Sequence, residues 1–305
     1  MKIGELTQDQ LKAQLMGEGL PVTLGPFATR IRSGFRSMVP LLHQLYEEHP
    51  ISSSEFVDFD VQVQPSRGLR WGRSQACFLA DGRMPFWPLP AEQAMPALEW
   101  GINWCVAMRS NHLLMLHSAV VERNGNAILF PAWSGHGKST LCTALIHSGW
   151  RLLSDEFGLV RPDDGALIPV PRLIPLKNES IEVIRRFRPD AVIGPSFHGT
   201  RKGTVAHVRP PAESVRRADE TARAHLIVFP RWVAGAPLAI EPVAKGEAFL
   251  MVATNAFNYE ILGEAAFEVV RRMVRDCGAY ALTYSDLDEA ISALNALAEL
   301  PDAQR

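Results

Sequence analysis

One glycine-rich segment constrains this chain more than any other feature: Pro131-Ala-Trp-Ser-Gly-His-Gly-Lys-Ser-Thr140. It follows an apolar run at 126–130 and precedes 141–147, whose composition is typical of a helix. A strand, a glycine-rich turn, Lys-Ser and a helix form, in that order, the context in which phosphate-binding loops occur. The turn's backbone N–H groups and the positive end of the helix dipole together hold an anion. The segment therefore predicts a nucleoside triphosphate site rather than a simple helix-capping turn.

The whole loop is expected to contact the nucleotide. Its residues are Ala132, Trp133, Ser134, Gly135, His136, Gly137, Lys138, Ser139 and Thr140. Lys138 is expected to reach the outer phosphates, and the Ser139 hydroxyl to bind Mg²⁺. Ala132 stands where such loops usually begin with glycine, and alanine does not readily adopt a positive φ. The expected ligands are ATP and Mg²⁺.

Length and composition predict an ordinary globular protein with two domains. The chain has 305 residues, 47% of them hydrophobic, and a formal net charge of −2. That balance argues against general binding to nucleic acid, which requires a basic face. No apolar run approaches the ~18 residues of a membrane span, and the N-terminus lacks the apolar core of a signal peptide. Four scattered cysteines suit free thiols, so a cytoplasmic protein without a membrane partner is expected.

The chain divides into a mixed α/β domain at 1–112 and a second domain at 113–305 that carries the loop. The apolar run 113–121 predicts one strand, which Asn124-Gly125 turns back into the strand entering the loop. Near the C-terminus, Ser285-Asp-Leu-Asp288 predicts a capping box that opens the last helix. Four aromatic residues of the first domain form either a binding face or ordinary core: Trp71, Phe78, Phe86 and Trp87.

Two further sites carry candidate catalytic groups. Asp155 and Glu156 interrupt a predicted strand at 151–160, after the helix that follows the loop. Acids at that point either hold Mg²⁺ or accept a proton from an attacking hydroxyl, and the structural alternative is a charged pair at a strand end. His117 is either a core histidine or, if the strand–turn–strand connection returns it beside the loop, a phosphate contact or a group that tunes a nearby acid.

Three charged residues farther along have open interpretations. Glu179 is either a second metal ligand or a carboxylate at a helix start. Arg201 and Lys202 lie in a Gly-flanked basic loop, which either folds over the nucleotide and neutralises charge on the transferring phosphoryl group or is simply solvated.

Taken together, these segments resemble the HPr kinase/phosphorylase family, and more closely its HPr-kinase-related branch. The family's loop reads roughly G-D-S-G-x-G-K-S-E, and 132–140 occupies the same frame. Its upstream His-Gly pair corresponds to His117-Ser118, and its Asp-Asp pair to Asp155-Glu156. The resemblance implies a P-loop kinase domain of the HPr kinase/phosphoenolpyruvate carboxykinase type behind a mixed α/β N-terminal domain. It also implies that Asp155 is the catalytic base, that Glu156 assists Mg²⁺, and that the protein forms an oligomer.

The resemblance covers 113–160 well and the substrate half poorly. Ala132, Thr140 and Ser118 replace a glycine, an acid and a glycine of the family pattern. The family's R-G-x-G segment, which helps to build its protein-substrate site, is missing from this sequence. HPr itself is therefore not the expected substrate.

The function expected from these features is an ATP-dependent serine kinase acting on a protein or a precursor peptide. Similar kinases in bacterial peptide-modification clusters phosphorylate a serine of the precursor, which makes that substrate class the one implied by resemblance. Two alternatives stay open: a small-molecule kinase, and a nucleotide-binding regulatory protein with little catalysis. The alanine at 132 and the missing acid at 140 favour the regulatory alternative, and the Lys138-Ser139 pair with Asp155 opposes it.

Overall fold

The computed structural model describes residues 1–67, 74–133 and 135–300, and it is mixed α/β with open sheets. Predictions about Trp71 and Ser134 lie outside these residues. The described strands are β1 (Leu20–Leu24), β2 (Phe27–Ser33), β3 (Phe59–Arg67), β4 (Ser74–Ala80), β5 (Leu89–Pro90), β6 (Leu114–Leu116), β7 (Ser118–Arg123), β8 (Asn126–Pro131), β9 (Arg151–Ser154), β10 (Gly158–Val160), β11 (Ala166–Ile168), β12 (Ile174–Lys177), β13 (Phe197–Thr200), β14 (Gly203–Val208), β15 (Ala222–Trp232), β16 (Ala239–Pro242) and β17 (Gly278–Tyr284).

The described α-helices are α1 (Gln8–Met16), α2 (Met38–Leu45), α3 (Ala94–Arg109), α4 (Lys138–Ile146), α5 (Glu179–Phe187), α6 (Ala212–Arg216), α7 (Lys245–Thr254), α8 (Tyr259–Leu262), α9 (Glu264–Asp276) and α10 (Leu287–Ala298). None of the described helices is both long and apolar enough to cross a membrane.

The first half of the chain forms a five-stranded sheet in the order β1-β2-β3-β4-β5, in which only β2 and β3 pair in parallel. Alternate side chains of β2 are buried, because successive residues of a strand point to opposite faces. Helix α3 covers the sheet so closely that a Cβ added to Gly101 would lie 2.1 Å from the Phe78 ring. Phe86 stacks on the buried Phe78 at 5.3 Å, so these two aromatic residues are core, while Trp87 is 80% exposed.

The second half is built around a nine-stranded sheet whose central strands β8, β15 and β17 are parallel. Strand β7 pairs antiparallel with both β8 and β9, so β9 runs in the same direction as β8. The carboxyl ends of β9, β8, β15 and β17 therefore meet at one edge. Ligands of open α/β sheets bind at that kind of edge.

The predicted strand at 113–121 is wrong in one respect, because the structure divides it into β6 and β7. Strand β6 pairs with β10, whereas β7 pairs with β8 and β9. The backbone of His117, between them, donates instead to the Asn255 carbonyl at 2.7 Å. Changing partners at this point turns His117 out of the ladder and toward the edge that carries the acids.

A small antiparallel sheet, β12-β14-β13, adjoins the same region. Its strands are short, and the sequence pattern did not predict them. The predicted Gly-flanked basic loop around Arg201 and Lys202 is the tight turn between β13 and β14.

Hydrophobic packing joins the two halves of the chain. One core cluster contains most of the buried residues of the first half together with Leu113, Met115, Leu159, Val170 and Leu173 from the second. The division at residue 112 stays a prediction, and the packing shows that the two segments it separates share one core. All four cysteines are free, and burial raises the pKa of the Cys105 and Cys277 thiols to about 12.

Candidate nucleotide-binding site

The glycine-rich segment leaves β8 and enters α4 through two glycines with positive φ. Gly135 has φ of 94°, and Gly137, the N-cap of α4, has φ of 85°. Only glycine adopts this region without strain, which explains their positions in the loop. Two hydrogen bonds hold the loop against the neighbouring parallel strands. Trp232 of β15 donates its backbone N–H to the His136 carbonyl at 3.2 Å, and the Tyr284 hydroxyl of β17 donates to the Gly137 carbonyl at 3.3 Å. The loop is therefore held against the carboxyl ends of β15 and β17.

Gly137→Ala is expected to disrupt this loop. The added Cβ would lie 2.7 Å from the Tyr284 hydroxyl and 2.9 Å from Trp232 Cβ, in addition to the backbone strain. Strain alone is worth about 1 to 2 kcal/mol. Displacing the loop's N–H groups should weaken ATP binding on the order of tenfold or more. Urea unfolding and equilibrium dialysis with labelled ATP measure the two effects.

Gly149→Ala is the matched control, since Gly149 has φ of 94° and no atom within 4 Å of an added Cβ. It should lose stability from strain alone and keep its ATP affinity. Equal ATP affinities for the two variants would contradict a rigid, anion-binding loop.

Lys138, Ser139 and Asp155 converge beside the loop. The buried Lys138 donates from Nζ to the Asp155 backbone carbonyl, and Ser139 donates from Oγ to Asp155 Oδ2 at 2.8 Å. Asp155 Oδ1 is buried and has no hydrogen-bond partner. A buried carboxylate oxygen without a partner is costly, so this atom is suited to a proton, a metal ion or a ligand group.

The two adjacent acids differ in their electrostatics. Burial raises the pKa of Asp155, despite the opposing effect of Lys138. Burial also acts to raise the pKa of Glu156, but surrounding cationic groups, with Lys138 the strongest, hold it below its usual value. At neutral pH, Glu156 is therefore ionised, while Asp155 is the acid with the greater affinity for a proton.

His117 lies beside these acids as a neutral imidazole. Burial, assisted by Lys138, lowers its pKa to about 4. The ring packs against Phe257 with centroids 5.4 Å apart, and its electrostatic partners include Glu156. At pH 7 it can exchange hydrogen bonds with a ligand but adds no positive charge.

Lys177 is a further member of the cluster, and it was not among the predicted site residues. It ends β12, and burial lowers the pKa of its ammonium, while Glu156 opposes that effect. Lys202 also interacts electrostatically with Glu156. The residues next to Lys177 do not show that it lies beside the acids, because the sheet that positions it pairs β12 with β14, a strand about 30 residues farther along the chain.

Asn178 connects the end of β12, which carries Lys177, to the segment around the β13–β14 turn, which carries Lys202. Its backbone N–H donates to the Thr204 carbonyl at 2.8 Å, and its Oδ1 accepts from the Thr204 N–H at 3.0 Å. Asn178 has φ of 53°, which is uncommon for a residue other than glycine. This link fixes the β13–β14 turn beside the end of β12, and with it Lys202 beside Lys177.

Two predicted site residues are not brought into the cluster. Glu179 is exposed on the first turn of α5, and no described contact joins its side chain to Asp155 or Glu156. Asn178 turns the chain sharply just before it, which fits the alternative of a helix-start carboxylate. Arg201 is exposed on the β13–β14 turn and, unlike Lys202, has no described interaction with the acids.

The residues present fit a Mg²⁺ ion bound together with a nucleotide. Within the described residues, no group of three or more His, Cys, Asp and Glu is placed to hold a metal by itself. Mg²⁺ usually takes only one or two protein carboxylates, and phosphate oxygens and water complete its coordination. The Ser139 hydroxyl and the anionic Glu156 supply ligands of that kind, and the unpartnered Asp155 Oδ1 lies beside them with capacity for a proton or a ligand group.

Comparison with protein-family models and with curated proteins finds no match for the chain. Among solved structures, it is similar to the Hpr(Ser) kinase/phosphatase from Coxiella burnetii, with 12% identity over 60% of this chain and 96% of that one. The TM-score is 0.24, so this is a distant structural neighbour and establishes no family. The P-loop kinase fold stays a prediction that the geometry of the site supports.

Proposed function

We propose that this chain is a phosphotransferase: an HPr-kinase-like, ATP-dependent serine kinase acting on a protein or precursor peptide. One observation carries the proposal, namely the convergence of Lys138, Ser139 and Asp155 where the loop enters α4. A phosphate loop alone is compatible with any nucleotide-binding protein. A buried acid with a raised pKa beside the loop's lysine and serine adds a group suited to proton transfer.

Lys138 is proposed to bind the outer phosphates, giving up its hydrogen bond to the Asp155 carbonyl for stronger charge-assisted ones. The turn's N–H groups and the start of α4 hold the remaining phosphate oxygens. Mg²⁺, when bound with ATP, neutralises charge on the phosphates, and Ser139 and Glu156 are its proposed protein ligands.

Asp155 is proposed to be the general base. Its carboxylate accepts the proton of the serine hydroxyl as that oxygen forms a bond to the γ-phosphorus and the bond to ADP breaks. Lys177 and Lys202 are proposed to offset negative charge on the transferring group, since both interact electrostatically with Glu156. Arg201 has a role in this scheme only if the β13–β14 turn closes over the bound nucleotide.

Transfer of labelled γ-phosphate from ATP–Mg²⁺ to proteins and peptides of a source-cell lysate tests the proposal. Wild type is expected to label a discrete acceptor. Lys138→Ala should lose that labelling by about 100-fold or more, since the positioning and charge that phosphoryl transfer requires are removed together. The control is Lys12→Ala on α1, which should label as wild type does.

Equal labelling by wild type and Lys138→Ala would contradict the proposed site. If ATP binds and no acceptor is labelled, the protein-kinase proposal is wrong. Release of ADP on addition of small hydroxyl compounds would then identify a small-molecule kinase, and its absence a regulatory nucleotide-binding protein. A cytoplasmic location belongs to the proposal, because four free cysteines suit a reducing compartment.

A further inference from the structure

Two exposed indole side chains adjoin the phosphate loop. Trp133, within the loop segment, is 59% exposed, and Trp232, at the end of β15, is 48% exposed. Tryptophan buries more apolar area than most side chains, so two exposed indoles beside one loop are costly unless they meet a ligand.

The two tryptophans are connected through the backbone of His136. Its N–H donates to the Trp133 carbonyl at 3.4 Å, and its carbonyl accepts from the Trp232 N–H at 3.2 Å. The Trp232 indole N–H also donates to the Ser285 carbonyl at 3.2 Å, which fixes the orientation of the exposed ring. Trp232 is therefore a preorganised flat surface at the side of the loop.

The order of the strands decides on which side of the loop that surface lies. Along the edge, β9 with Asp155 lies on one side of β8, and β15 with Trp232 lies on the other. The reacting phosphate has to lie beside Asp155 and Lys138. A nucleotide that extends from there away from β9 runs toward Trp232.

We propose that Trp232, assisted by Trp133, is the stacking surface for the base of the bound nucleotide. This inference rests on the proposed function only in requiring that the loop binds a nucleotide. Stacking on an indole uses the π-face that every base has, and it needs no specific polar contact to the base edge. No described hydrogen bond joins either tryptophan to Asp155 or Glu156, so the proposed contribution of both indoles is to nucleotide binding and not to proton transfer.

Titration calorimetry with two probes separates a base contact from a phosphate contact. The probes are ATP–Mg²⁺ and inorganic tripolyphosphate–Mg²⁺, and the proteins are wild type, Trp232→Leu, Trp133→Leu and Trp232→Phe. Trp232→Leu should bind ATP roughly tenfold or more weakly, which is the size of a lost base–aromatic stack, and tripolyphosphate as tightly as wild type does. Trp133→Leu should show a smaller loss of the same kind, and Trp232→Phe should recover part of the ATP affinity. Trp87→Leu changes a still more exposed tryptophan in the first half of the chain, and this variant should bind both probes as wild type does.

Three results would overturn the inference. An unchanged ATP affinity in Trp232→Leu would show that the base lies elsewhere. A parallel loss of both probes would show that Trp232 supports the loop rather than the base. Wild type that binds neither probe would reject the nucleotide site itself, and with it the proposed function, so the two failures are distinguishable.

Discussion

Asp155→Asn is expected to lower phosphoryl transfer by about 100- to 10,000-fold, the usual contribution of a general base, while ATP binding persists. Asparagine keeps the shape of the side chain and can still accept the Ser139 hydrogen bond, but it cannot take a proton. Single-turnover transfer from labelled ATP, measured beside ATP binding at equilibrium, separates the two effects. A regulatory nucleotide-binding protein would retain its function in this variant.

The pH dependence of phosphoryl transfer should also report the role of Asp155 as the general base. Because burial raises the pKa of Asp155, wild-type transfer should fall as pH decreases through that raised value. In Asp155→Asn, residual transfer should lack this dependence. Asp163→Asn is the matched control, since Asp163 is an exposed aspartate on the turn before β11, and it should behave as wild type in both respects.

The same substitution is expected to stabilise the fold at neutral pH. A carboxyl whose pKa is raised on folding binds protons more tightly in the folded state, so folding stability decreases as pH rises from the unfolded pKa to the folded one. Asparagine does not titrate and avoids that loss. The stability difference between Asp155→Asn and wild type should be small in acid and largest above the raised pKa. An acid that costs stability and is required for transfer is the expected behaviour of a catalytic group.

Arg172→Met is expected to cost about 3 to 5 kcal/mol of unfolding free energy, because it leaves a buried partner charge uncompensated. Arg172 donates to Glu99 Oε2 at 2.7 Å and to Asn103 Oδ1 at 2.5 Å, and both acceptors are on α3. The Tyr46 hydroxyl donates to the other oxygen of Glu99. Arg172 and Glu99 are 8% and 5% exposed at their side chains, so water cannot replace the lost partner.

Urea unfolding measures this effect, and two further variants identify its cause. Arg185→Met removes an arginine from a surface pair with Glu182 and should cost well under 1 kcal/mol. The double variant Arg172→Met/Glu99→Gln should recover a large part of the loss, since glutamine removes the unpaired charge and still accepts from Tyr46. A double variant no more stable than Arg172→Met would show that the packing of Arg172 against α3, rather than its charge, stabilises the fold.

The sequence predicted the glycine-rich turn between β8 and α4 and the position of the two acids, because each depends on local pattern. The strand, the glycine-rich turn and the helix follow one another in consecutive residues, and the structure has β8 and α4 at the predicted positions. Asp155 and Glu156 interrupt a strand at the predicted point, between β9 and β10. Their roles as base and metal ligand stay predictions, which the experiments above test.

The remaining parts of the site depend on contacts between distant segments, and the sequence alone could not supply them. Lys177 joins the acids through a three-stranded sheet of short, weakly patterned strands. Trp232 and Tyr284 clamp the loop only because β15 and β17 pair in parallel beside β8. Even a local prediction shifted by one residue: Asp286, not Ser285, caps α10, since its side chain accepts from the Glu289 N–H while Ser285 bonds to the Ala236 carbonyl.

The core shared between the two halves bears on how this protein can be recombined with others. Leu159, Val170 and Leu173 follow the glycine-rich loop in the chain, yet they complete the apolar interior of the first half. The two halves also pack closely at Gly25 of the first half, because a Cβ there would lie 2.3 Å from the Pro169 carbonyl of the second half. A chimera that exchanges residues 1–112 alone would leave both pieces with mismatched surfaces. Exchange of the N-terminal half with that of another protein of this fold would have to carry the stretch from 157 to 173 as well, because these segments share one core although they are separated in the sequence.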